Sequence, residues 1–165
     1  MTSFIAANPQ ACIGCRTCEI ACALEHVAEG AAFHPRLKVL RLDNLSVPVM
    51  CHQCENAPCV AACPTGALTM GAERVEADAG RCIGCQGCAV ACPFGAITIE
   101  VTAGVPPVMV KCDLCATRER GPACVDVCPT AALSKVTAIQ LAALQKQRQI
   151  ATASLAHPVV FYADR

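Results

Sequence analysis

At 165 residues the chain has room for one domain or two very small ones. Its 13 basic and 13 acidic residues cancel to a formal net charge of +0, which excludes the basic surface of a nucleic-acid binder. A mean hydropathy of +0.46 suggests a membrane protein. However, Ala and Cys make up about half of the hydrophobic residues, and no apolar run approaches the roughly 18 residues that span a bilayer.

The opening MTSFIAANPQAC has no basic stretch followed by an apolar one. No secretory signal is read, and a cytoplasmic location is expected, where dense cysteines bind metal more often than they form disulfides. Phe4 to Ala7 reads as a short strand. A first cysteine quartet follows: Cys12, Cys15, Cys18 and Cys22. Ala23 rather than proline follows its last cysteine, so a helix is expected to continue toward His26. Alternation in Leu37-Lys38-Val39-Leu40-Arg41-Leu42 predicts a strand. The second quartet is Cys51, Cys54, Cys59 and Cys63, closed by Pro64. Arg74 to Glu76 predicts another strand. The third quartet is Cys82, Cys85, Cys88 and Cys92, closed by Pro93, and Ile97 to Val101 alternates as a strand. The fourth is Cys112, Cys115, Cys124 and Cys128, closed by Pro129. Thr137 is placed to cap a helix running to about Leu155, which His157-Pro158 would end. The tail VVFYADR is expected to dock on a partner or on its own domain.

No cysteine is left over. Every quartet opens with C-x2-C and closes with C-x3-C, and only the middle gap varies. The first and third quartets share Cys-Ile-Gly-Cys, and the second and fourth share the pattern Cys-Val-x-x-Cys-Pro-Thr. A duplicated two-quartet unit accounts for this alternation. Three occupants compete for the sulfurs. Disulfides would require sixteen thiols to pair in a reducing compartment. Structural zinc usually has two C-x2-C arms separated by a longer loop. The run C-x2-C-x2-C-x3-C-P is instead that of a bacterial [4Fe–4S] ferredoxin, in which the fourth cysteine serves the other cluster of a pair. Gly14 and Gly84 permit the tight turn and close backbone approach that such a loop requires. Four complete runs predict four [4Fe–4S] clusters. Clusters would also fill the core of a chain with 3% aromatic residues and no Trp. The spacers 23–50, 64–81 and 93–111 permit either two modules in tandem or an inner module enclosed by an outer one.

The four-quartet pattern, the segment GPACVDVCPT at 121–130 and the opening FIAANPQACIGCRTCEIAC resemble the HycB/HydN family of iron–sulfur subunits. That family belongs to the larger DMSO reductase B-subunit type, and the resemblance covers roughly residues 3–135. It implies an α+β fold of two interlocked bacterial-ferredoxin-like modules followed by a C-terminal helix. The polyferredoxin domain would cover 1–135, and the helix and docking tail 136–165. It also implies that the first quartet pairs with the fourth and the second with the third. Cluster 1 would then be held by Cys12, Cys15, Cys18 and Cys128. Cluster 2 would be held by Cys51, Cys54, Cys59 and Cys92, and cluster 3 by Cys82, Cys85, Cys88 and Cys63. Cluster 4 would take Cys112, Cys115, Cys124 and Cys22. Family members often carry a longer insertion between the third and fourth quartets than this chain does.

The function expected is electron relay without catalysis. No Gly-rich phosphate loop is present for a nucleotide, and every cysteine is spoken for. The resemblance implies a molybdenum- or tungsten-pterin catalytic subunit of formate dehydrogenase or aldehyde oxidoreductase type as one partner. A second redox subunit, a flavoprotein or hydrogenase, would be the other, and self-association of the chain is a further expectation. A freely diffusing polyferredoxin is the alternative, although zero net charge favours a fixed subunit. A zinc-stabilised interaction module is a third reading. Among the remaining residues, His52 reads as loop and Lys111 as a solvated lysine. A cation at Lys111 would, however, favour a reduced cluster. Arg118-Glu119-Arg120 reads as a partner contact or an exposed loop.

Overall fold

The computed structural model describes residues 2–27, 33–101 and 106–156. Short strands alternate with the cysteine loops. In chain order the elements are β1 (Ser3–Ala7), α1 (Thr17–His26), β2 (Leu37–Leu42), β3 (Leu45–Met50), α2 (Pro58–Ala61), β4 (Leu68–Met70) and β5 (Val75–Ala77). They continue with α3 (Gly87–Ala91), β6 (Ile97–Glu100), β7 (Val108–Lys111), α4 (Ala123–Asp126), β8 (Leu133–Thr137) and α5 (Ala138–Ala156).

The strands pair two by two into antiparallel ribbons: β2 with β3, β4 with β5, β6 with β7, and β1 with β8. Each of the first three ribbons carries the chain from one quartet to the next. The fourth pairs Ser3 with Thr137 and Ala7 with Leu133, and so returns the end of the cysteine region to its beginning. Because every strand has a free edge, proline is tolerated: Pro48 sits inside β3 opposite Val39. A two-residue turn, Asp43-Asn44, closes the β2–β3 hairpin, with Asp43 at φ 43°.

The helices show what the proline after the second, third and fourth quartets does. α2 and α4 have four residues each and α3 has five. α1, with Ala23 in place of proline, runs on for ten residues to His26, as the sequence predicts. α1 packs against α4 and α2 against α3. α5 begins where expected. Thr137 Oγ1 accepts from the Gln140 backbone N–H at 3.3 Å, and the Gln140 side chain accepts from Thr137 N at 2.9 Å, a reciprocal cap. His157, Pro158 and the tail lie outside the described residues.

Two apolar clusters form the interior. The larger joins Ile5, Leu37, Val39, Met50, Leu114 and Leu133 to cysteines of the first, second and fourth quartets. The smaller joins Leu68, Val75 and Ile97 to Cys59 and Cys88. No helix among the described residues is long and apolar enough to cross a membrane.

Candidate metal centres

The two Cys-Ile-Gly-Cys loops take the same backbone path. Gly14 and Gly84 have φ of 69° and 71°, and Arg16 and Gln86, two residues on, have φ of 60° and 62°. A Cβ on Gly14 would come within 2.5 Å of Ser46 Oγ on the β2–β3 ribbon. One on Gly84 would come within 2.8 Å of the Pro107 ring beside the β6–β7 ribbon. Each loop therefore lies flat against the ribbon that follows it, and only glycine allows the approach.

Three cysteines from one loop and one from a distant loop surround each of three cavities. Cys12, Cys15 and Cys18 line the first together with Cys128. Cys51, Cys54 and Cys59 line the second with Cys92. Cys82, Cys85 and Cys88 line the third with Cys63. Each is small and lined by four sulfurs and mainly apolar side chains, the same surroundings three times over. The remaining four, Cys22, Cys112, Cys115 and Cys124, are all buried. The Cys124 thiol is pushed far up, first by burial and then by its neighbours Cys112, Cys22 and Cys115. All sixteen sulfurs are free of disulfides.

The donor set fits a soft metal centre. The sites are rich in sulfur and otherwise lined mainly by apolar side chains. Burial raises the Cys18 thiol to about 11 and Cys112 to about 12, so an empty site would hold protons that a metal must displace. Hydrogen-bond donors face the sulfurs. Gln53 N donates to Cys51 Sγ at 3.4 Å, Arg36 N to Cys22 Sγ at 3.3 Å and Ala132 N to Cys128 Sγ at 3.3 Å. The Thr17 hydroxyl donates to Cys15 Sγ at 3.4 Å and lowers that thiol's pKa. These donors stabilise thiolate, the form a cluster iron binds.

Around the fourth set lies a network that sequence reasoning missed. His26 Nδ1 donates to Cys22 O at 2.6 Å, and Nε2 donates to Asp113 Oδ1 at 3.0 Å. Arg36 pairs with the other oxygen of Asp113 at 2.7 Å. Burial opposes charge on His26, but Asp113, Cys115 and Cys22 outweigh it and push the imidazole up to about 12. Burial likewise opposes charge on Asp113, and His26 and Arg36 hold its carboxyl well below the usual range. His26, Asp113 and Cys115 lie close enough together to hold an ion, but Cys115 already belongs to the fourth set. The signal available was the placing of His26 one helical turn beyond Cys22.

One expectation needs correction. Lys111 is not solvated: it is 3% exposed, because β7 turns inward where it meets the fourth quartet. His52 lies in an exposed loop, as expected, and stacks on Phe94 with ring centroids 4.0 Å apart. Of the run Arg118-Glu119-Arg120, Glu119 and Arg120 are exposed, while Arg118 is paired with Glu25 and Asp126 and donates to Gly121 O.

Residues 42–137 match the 4Fe-4S dicluster domain family, and residues 9–25 match a 4Fe-4S binding domain. The electron transport protein HydN of Escherichia coli K12 is 40% identical, over 93% of this chain and 98% of its own length. Hydrogenase-4 component A of the same organism is 35% identical, over 93% and 92% respectively. The putative oxidoreductase AegA, also from Escherichia coli K12, is 45% identical over 95% of this chain, which spans only about a quarter of AegA. The chain therefore belongs to the 4Fe-4S dicluster domain family and, within it, to the HycB/HydN-type iron–sulfur subunits.

Proposed function

We propose that the chain holds four [4Fe–4S] clusters and relays electrons between two redox partners. The observation that carries this is the set of three cavities, each lined by three cysteines of one quartet and the last cysteine of another. On this reading site 1 is Cys12, Cys15, Cys18 and Cys128, and site 2 is Cys51, Cys54, Cys59 and Cys92. Site 3 is Cys82, Cys85, Cys88 and Cys63, and site 4 is Cys112, Cys115, Cys124 and Cys22. Residues 1–135 form the cluster-binding unit, made of an outer module (sites 1 and 4) interlocked with an inner one (sites 2 and 3). Residues 136–165 form the helix and docking tail.

Each bound cluster supplies one-electron chemistry. The protein supplies position and exposure. Sites 1 and 4 exchange cysteines, as do sites 2 and 3, and Cys51 of site 2 packs in the same apolar cluster as Cys22, Cys112 and Cys124 of site 4, which together support the order 1–4–2–3 along the wire. At its ends Cys15 and Cys85 are exposed, flanked by Ile13 and Ile83 at 62% and 64% exposure. These two apolar tips are where partners would dock. Site 4, second in that order, has all four cysteines buried, which keeps water and stray oxidants from the middle of the path.

As partners we infer a molybdenum- or tungsten-pterin catalytic subunit and a second redox subunit, a flavoprotein or hydrogenase, in the cytoplasm. The similarity to a hydrogenase component and to one part of a putative oxidoreductase supports this. Iron and acid-labile sulfide analysis of anaerobically purified chain is the first test, with about sixteen of each expected per chain. A colourless zinc protein would overturn it. Co-purification from the native host, with assay of the captured material for molybdenum, tungsten and pterin, tests the partner. A captured complex without any of these would overturn that assignment.

A further inference from the structure

Lys111 ends β7 and is 3% exposed. Its ammonium donates to Val75 O at 2.9 Å, Cys112 O at 2.9 Å and Gln53 Oε1 at 3.2 Å. Three acceptors match the three N–H donors of a lysine ammonium. All three acceptors are neutral. No carboxylate among the described residues pairs with it, whereas Arg36, Arg74 and Arg118 each have one. A buried cation without a counter-ion is among the costliest groups a core can contain. Something anionic must balance it.

The anions the fold brings near are thiolates. Cys112 is the next residue, and it belongs to site 4. Site 2 lies on the other side: Val75, whose carbonyl accepts from Lys111, lines the cavity of Cys51, Cys54, Cys59 and Cys92, and Gln53 sits between Cys51 and Cys54. Gln53 fixes the arrangement. It is 1% exposed, its Oε1 also accepts from Val75 N at 3.0 Å, and its Nε2 donates to Cys112 O at 2.8 Å. The knot ties Val75 of the smaller apolar cluster to Cys112 of the larger.

We propose that Lys111 is the shared counter-charge of sites 2 and 4 and raises the reduction potentials of the two clusters held there. This rests on the four-cluster reading above. Each inner cluster gains one electron on reduction and becomes more negative. A fixed cation in a low-dielectric interior stabilises the reduced form more than the oxidised one. The two inner sites thus become the electron reservoir of the wire, and sites 1 and 3 are tuned without it. The chain carries its own neutral counterpart: Met50 precedes Cys51 as Lys111 precedes Cys112, and is as deeply buried at 4%.

The test is anaerobic potentiometric titration, followed by electron paramagnetic resonance, of full-length wild type, Lys111→Met and Lys111→Arg. Iron and sulfide are counted first. A wild type without clusters at sites 2 and 4 sinks the cofactor reading along with this proposal. With four clusters present, the potentials judge Lys111 alone. In Lys111→Met, two of the four steps should move to lower potential by at least a tenfold change in the reduced-to-oxidised ratio, about 59 mV for one electron. The other two steps should stay, and Lys111→Arg should keep all four. No shift, an equal shift of all four, or an equal shift in Lys111→Arg would overturn the proposal. If Lys111→Met loses iron, Lys111→Gln is titrated in its place under the same criteria. Cluster retention in Lys111→Arg alone supports the charge, and cluster loss in all three variants assigns a packing role and overturns it.

Discussion

The two halves of the molecule follow one plan, yet they differ at the points where their chemistry meets. The segment Met50-Cys51-His52-Gln53-Cys54 opens the second quartet, and Lys111-Cys112-Asp113-Leu114-Cys115 opens the fourth. In each, the third residue after the strand takes a left-handed conformation, Gln53 at φ 50° and Leu114 at φ 62°, so the loops superpose in kind. Their side chains are exchanged in polarity. Met50 and Leu114 enter the larger apolar cluster, while Lys111 and Gln53 bond to each other. The first and third quartets diverge in a second way, through the length of the helix that follows. A repeat that arises by copying is free to keep its cysteines and vary the residues between them. Here the variation put one charge at the centre and one long helix at the edge.

Converting one half into the other is the sharpest way to test this. Gln53→Leu, which gives the second opening the residue of the fourth, should have the largest effect. It leaves Lys111 Nζ, Val75 N and Cys112 O each one partner short in the interior, a loss of about 3–5 kcal/mol. Faster bleaching of the visible absorption in guanidinium would register it, and an unchanged rate would show that the knot is not structural. Ala23→Pro gives α1 the ending of α3. Proline inside a helix costs about 3 kcal/mol or more, and Ala23 is 1% exposed. It should also displace His26 from Asp113, seen as loss of the low-pH stability of that carboxylate's resonance by nuclear magnetic resonance.

Gly84→Ala and Gly14→Ala compare the two loops at matched positions. Both force a side chain into φ near 70°, worth about 1–2 kcal/mol. Gly84→Ala should cost more, because the Pro107 ring cannot turn aside as the Ser46 hydroxyl can. Equal losses in chemical denaturation would contradict that account. The smallest effect has the opposite sign. Gly66 and Gly95 stand three residues after the closing cysteines of the second and third quartets, with φ of 62° and 58°. After the fourth the same place is Ala131, at φ 50°. Ala131→Gly should stabilise by about 0.5–1 kcal/mol, read as a higher denaturation midpoint.

The iron–sulfur family was legible in the sequence because cysteine spacing is a local signal. So was the extension of α1, since a missing proline is a local signal too, and so was the cap at Thr137. β3, β4, β7 and β8 were not read, β3 because Pro48 lies inside it. Runs of three to five residues such as Leu68–Met70 carry too few alternations to distinguish a ribbon from a loop. The burial of Lys111 was hidden for another reason. Its partners Gln53 and Val75 lie far away in sequence, and nothing beside Lys111 indicates that the strand turns inward there. The ion pairs of Asp113 and Arg118 are likewise between segments that only folding brings together.

The pairing of β1 with β8 makes the cluster region a closed circuit of four ribbons and four loops. Ser3 lies opposite Thr137, where a hairpin would need only a short turn to join them. The chain therefore has no structurally privileged starting point. A circular permutant linking these two positions and opened at Asp43-Asn44 would keep every strand pair except the one at the cut. Conversely, the natural order leaves the longest-range pairing of the circuit to join residues 3 and 137, so this seam is expected to close last during folding.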